Sequence, residues 1–95
     1  MTVNELKTGD TIYIVKSFQI DVFKYLCISP DGGGHYHILI NNFTKDPIRI
    51  YESHLAVMLA ECLNSYEDAE DALIMQLKRK IEIIQERRKL IIAAQ

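Results

Sequence analysis

The sequence predicts an α+β domain: a small antiparallel β-meander or barrel of about four to five strands, then a short helix and a long C-terminal amphipathic helix. Three observations predict it. Apolar residues alternate with period two through the first half, the signature of half-buried strands. Clusters rich in Gly, Pro and Asp separate those runs, as turns require. Beyond residue 64 neither proline nor glycine occurs, and the apolar residues move to the three- and four-residue spacing of a helix.

Taken in order, Leu6-Lys7-Thr8-Gly9-Asp10 is a turn that leads into Thr11–Lys16, a β-branched and aromatic run suited to a strand. The next strand runs from Phe18 to Ser29. Phe18, Ile20, Val22, Leu26 and Ile28 share one face, which Lys24 interrupts, while Gln19, Asp21, Phe23, Tyr25 and Cys27 share the other. Pro30-Asp31-Gly32-Gly33-Gly34 is the clearest turn, because proline fixes one backbone angle and glycines accept positive φ. His35–Phe43 is the return strand, with Tyr36, Ile38 and Ile40 opposite His35, His37 and Leu39. Thr44-Lys45-Asp46-Pro47 turns once more into Ile48–Tyr51.

The β unit therefore covers residues 1–52, and a short helix follows over 53–64. Leu55, Met58, Leu59, Cys62 and Leu63 form one helical stripe, with Ser53 as its N-cap. His54–Leu63 is almost wholly apolar, so a buried strand remains an alternative there. Ser65 followed by Asp68 fits a capping box, and Glu67, Asp68, Glu70 and Asp71 suit the positive end of a helix dipole. A helix over 66–95 extends about 45 Å at 1.5 Å per residue. The body before it should measure only about 25 Å across. Part of the rod must overhang or find a partner.

Ile74, Leu77, Ile81, Ile84, Arg88 and Ile91 follow alternating three- and four-residue steps, an a/d seam broken once by Arg88. Leu73, Ile83, Leu90 and Ile92 widen the apolar surface. Three placements satisfy such a helix: folding back on its own sheet, pairing with a second copy, or binding another protein. Lys78, Lys80 and Arg87 flank the seam with no acid beside them, so a parallel pair gains no flanking ion pairs. An antiparallel pair brings Lys80 and Arg87 towards the acidic first turns of its mate. A homo-oligomer, specifically an antiparallel dimer, is the expectation.

Composition bounds the function. A chain of 95 residues makes one domain, and 48% hydrophobic with 25% charged residues excludes a disordered class. The net charge of −2 gives no basic excess for phosphate binding. Two cysteines, Cys27 and Cys62, are too few for a disulfide scaffold and read as reduced core thiols. The opening residues lack a signal-peptide pattern and no apolar run is long enough to span a membrane, so the expected location is cytoplasmic.

Candidate chemistry is sparse. His35 and His37 share a strand face about 7 Å apart. No C-x-x-C or H-E-x-x-H spacing supports a metal there. The Asp31–Gly34 loop joins two strands rather than a strand and a helix, so it is no phosphate cradle. Cys62 and His54 would stand about 12 Å apart on a helix, too far for a nucleophile and its base. Cys27 beside His35 or His37 across the hairpin is easier geometrically, without a local signature. The expectation is a non-enzymatic protein with no metal and no cofactor. Lys16, Phe23, Lys24, Tyr25, Arg49 and Tyr51 combine strand aromatics with cations and form a candidate ligand face that could stack nucleobases. The competing reading makes the aromatics a second apolar face on which a helix packs.

The opening Leu6-Lys7-Thr8-Gly9-Asp10-Thr11-Ile12-Tyr13-Ile14-Val15 resembles the first strand of small β-barrels of the Tudor and KOW type. Together with the helix start Ser65–Ala72 it is similar to short uncharacterised phage and bacterial proteins. The resemblance implies a module that binds protein or nucleic acid, and it transfers no functional residue. Two functions are expected. The first is an interaction protein that self-associates through its last helix, a natural inhibitor or sequestering protein in the host cytoplasm if phage-encoded. The alternative is a barrel that binds nucleic acid or a nucleotide.

Overall fold

The period-two runs form four strands: β1 (Thr11–Lys16), β2 (Gln19–Ile28), β3 (Tyr36–Asn41) and β4 (Pro47–Tyr51). The computed structural model describes residues 2–31 and 33–94. Gly32 of the expected turn, Met1 and the expected helix end at Gln95 lie outside the described residues. The strands pair antiparallel in chain order, β1-β2-β3-β4. β1 and β4 do not pair, so the sheet is an open meander and not a closed barrel.

Turn chemistry fixes the registers. Gly9 adopts φ +94°, and the Lys7 amide donates to the Asp10 carboxylate at 2.9 Å. Lys16 pairs with Gln19, which leaves Ser17 and Phe18 as a two-residue hairpin loop. Both have positive φ, 53° and 59°, the combination whose twist matches the flanking strands. Phe18 therefore leaves the strand face expected for it and stands exposed at the hairpin tip. A bulge follows in β2: Tyr25 pairs with Leu39 but Cys27 pairs with Ile38. The extra residue, Leu26, interrupts the alternation, so the five residues expected on one face do not share it. Cys27 is exposed rather than in the core.

The principal core lies on the other face of β2. Ile12, Ile14, Tyr25 and Leu39 are buried there, with Phe23, Ile48 and Ile50 at its margins. Helix α1 (Glu52–Glu61) covers this face and adds Leu55 and Leu59, one turn apart and both buried. Each such side chain contributes roughly 1.5–3 kcal/mol through removal from water. A 3-10 turn, Val3–Glu5, closes one end, with Val3 and Leu6 against the cluster. The expected cap at Ser53 is displaced. β4 runs straight into α1, Tyr51 occupies the N-cap without a side-chain bond, and the Glu52 amide donates to the His35 carbonyl at 2.8 Å.

Helix α2 (Tyr66–Ala93) lies against the opposite face, along the β1–β2 hairpin. Ser65 caps it by accepting the Asp68 amide at 3.0 Å. The Leu63 amide donates to the Tyr13 carbonyl at 2.8 Å, which stitches the linker to the outer edge of β1. Tyr66 meets Tyr13 edge-on with ring centroids 6.4 Å apart, and Ala69 is completely buried. Further along, Lys80 Nζ sits 4.3 Å over the Phe18 ring at the hairpin tip. Val22, the buried residue of β2 outside the main core, points to this helix-covered side. Beyond Lys80 the helix leaves the body, and the molecule measures 63 × 25 × 24 Å. No helix among the described residues is long and apolar enough to cross a membrane.

Candidate functional site

Most of the exposed large apolar side chains lie on α2. The residues that approach the sheet, Ala69, Ala72 and Leu73, are buried or half-buried and occupy one side of the helix. At about 100° per residue, the seam of Ile74, Leu77, Ile81, Ile84, Arg88 and Ile91 is rotated roughly a quarter-turn from that side. Every seam residue is exposed, the apolar ones from Leu77 at 42% to Ile91 at 62%. Leu90 and Ile92 are exposed as well. The first half of α2 is thus shared: one side packs on the sheet and the seam remains free. In the overhanging half no side of the helix is covered. An apolar surface this continuous is rare on a monomer.

Charge is arranged along the same rod. Tyr66–Leu77 holds four acids and no base, whereas 78–89 holds six bases and two acids. Three seam positions carry charge: Glu67 and Glu70 lie seven and four residues before Ile74, and Arg88, of opposite sign, lies four residues after Ile84. Among the described residues no Lys or Arg is in ion-pair contact with a carboxylate, so neither Glu70 nor Arg88 has an internal partner.

A second feature is a cleft of about 520 Å³ beside α1. Ile14, Val15 and Lys16 of β1 line one wall, and Ile48 to Tyr51 of β4 line another. These are opposite edges of the sheet, so the sheet curls strongly without closing. Phe23 and Asp21 form part of the lining from β2, and His54, Val57, Met58 and Glu61 do so from α1. Of the expected ligand face, Lys16, Phe23, Arg49 and Tyr51 line this cleft, but Arg49 and Tyr51 pair with Ile38 and Tyr36 and so share the sheet face opposite Phe23. Lys24 and Tyr25 do not join them. Lys24 is exposed on the face opposite Phe23, and Tyr25 is buried in the core. Arg49 is already engaged, its guanidinium carbon 4.0 Å from the Tyr36 ring centre. Asp21, His54 and Glu61 are cleft residues that strand patterning did not single out, because two of them come from other elements. The mixed charge of the lining does not resemble a polyanion groove.

Tyr25 and His37 form a third, buried site. The Tyr25 hydroxyl lies 2.8 Å from His37 Nδ1, and both residues are buried. Burial raises the Tyr25 phenol above its ordinary value of about 10, and the Cys27 and Glu52 side chains add to the shift. The other ring nitrogen, Nε2, lies 3.4 Å from Glu52 Oε1 without a hydrogen bond. The bulge separates Cys27 from this histidine: Cys27 is on the face of Ile38, opposite that of His37. The arrangement assembles no nucleophile with its base. His35 does not join it either, because it stacks on Tyr51 at 6.1 Å. Among the described residues no cluster of three His, Cys, Asp or Glu is placed to hold a metal.

Comparison with protein-family models, curated proteins and solved structures finds no match to this chain.

Proposed function

We propose that the protein is a non-enzymatic interaction module that self-associates through α2. The observation that carries this reading is the exposed seam on a helix that outruns its own body. A packed sheet already satisfies the other side of α2, so seam exposure is not relieved within one chain. A second copy supplies both an equal apolar seam and a charge pattern complementary to the first.

The test replaces Ile84 or Ile91 with aspartate. Both side chains are exposed in one chain, so neither substitution disturbs the sheet or its core. Each is expected to reduce the particle to a single 11.0-kDa chain in light scattering, with unchanged far-ultraviolet dichroism. An unchanged oligomer in both variants rejects the reading.

A second reading rests on the cleft, whose lining joins Phe23 and Tyr51 with Lys16 and Arg49. It makes the open sheet a binding site for nucleic acid or a nucleotide. A binder of that class should lose affinity steeply with salt and on Lys16→Ala, while its mass stays fixed. Asp21 and Glu61 in the same lining weigh against it.

A further inference from the structure

The seam carries enough information to fix how two copies meet. We propose that α2 pairs antiparallel with the α2 of a second copy about a two-fold axis level with Arg79. Ile74 then faces the partner's Ile84, Leu77 faces the partner's Ile81, and Glu70 faces the partner's Arg88. The inference rests on the reading of α2 as the self-association surface.

Antiparallel helices pair each a position with a d position of the mate, so residues at one level have a constant sum of numbers. With Ile74, Ile81 and Arg88 at a, and Glu70, Leu77, Ile84 and Ile91 at d, three registers overlap enough to matter. One heptad in either direction from the proposed register sets Glu70 against Ile81 or Arg88 against Leu77. Each leaves a seam charge facing an apolar residue. The proposed register alone opposes Glu70 to Arg88, and its one remaining mismatch is Glu67, at the a position a heptad before Ile74, level with the partner's Ile91. It also overlaps the whole helix, since Tyr66 comes level with the partner's Ile92. Tyr66, Ile91 and Ile92 are all exposed in one chain, and this register covers them together.

A parallel pair in register does the reverse: it opposes Glu70 to its own counterpart and Arg88 to its own. Like charges placed directly across an interface cost several kilocalories, whereas opposed charges fix register. The break that Arg88 makes in the seam becomes a specificity element, as single polar seam positions often are. On a larger scale, the acidic half of each helix lies along the basic half of its mate. Lys78 flanks the axis in both copies and is the repulsive element of the arrangement. Lys80 is held over Phe18 of its own body.

Charge reversal tests the register separately from association itself. Arg88→Glu and Glu70→Arg are each expected to raise the dimer dissociation constant roughly a hundredfold or more, since two contacts per dimer become repulsive. Mixing the two variants in equal amounts should restore a dimer, because both cross-chain contacts are then of opposite sign. Recovery on mixing also demonstrates that each variant is folded. Single variants that dimerise as tightly as the parent overturn the register, since a parallel pair gains or keeps nothing by either change. Failure of the mixture to associate overturns it as well. A parent protein that is monomeric at high concentration refutes association itself, and this is seen before any variant is made.

Discussion

Removing the Tyr25 hydroxyl probes the buried centre of the sheet. The Tyr25→Phe substitution keeps the ring and its packing but deletes the hydroxyl hydrogen-bonded to His37 Nδ1 at 2.8 Å. The imidazole is 2% exposed, and its Nε2 has no hydrogen-bond partner, so the whole ring is left unsatisfied. Stranding a buried polar group in this way costs about 1–3 kcal/mol. At about 4–8 °C per kcal/mol for a domain of this size, the midpoint of thermal unfolding should fall by roughly 10 °C. The pH dependence carries a second signature. The folded phenol titrates above its unfolded value of about 10. Its contribution to stability is therefore complete below that pH and is lost as the pH rises through the folded value. The gap between parent and variant should be widest at neutral pH and narrow above pH 10. Urea melts at pH 7 and at steps up to pH 11 measure this, with protein concentration held fixed because association also stabilises the fold. A variant within about 0.5 kcal/mol of the parent at pH 7 refutes the argument, since that is the ordinary scatter of surface changes. A gap that does not shrink in alkali refutes it too.

Leu55 is completely buried between α1 and the sheet, so Leu55→Ala should cost about 2–5 kcal/mol in urea unfolding. Ser65→Ala removes the cap on Asp68 and should cost about 1 kcal/mol, with Ser65→Asp retaining most of the stability in the same melts.

Much of this fold is legible in the residues. The strand runs at Thr11–Lys16 and Ile48–Tyr51 alternate cleanly between turn signals and appear where periodicity puts them, save that β4 begins one residue early at Pro47. Ser65 and the acidic residues after it mark the start of α2, because capping is a local interaction. What escaped the sequence depends on events that alternation cannot register. The Ser17-Phe18 loop lacks glycine, so nothing in its residue types announces a positive-φ turn. The bulge at Leu26 leaves no mark in composition, yet it decides that Cys27 and His37 fall on opposite faces. Sheet curl is equally silent, and it alone brings Lys16 and Arg49 into one cleft from opposite edges. The apolar seam of α2 was readable throughout, and the structure adds that sheet contact uses a different side of the helix.

Sedimentation equilibrium of the unaltered protein across a wide dilution series tests the central claim most directly. A mass of twice 11.0 kDa is expected at high concentration, falling towards one chain only on dilution. A single-chain mass at every concentration contradicts it.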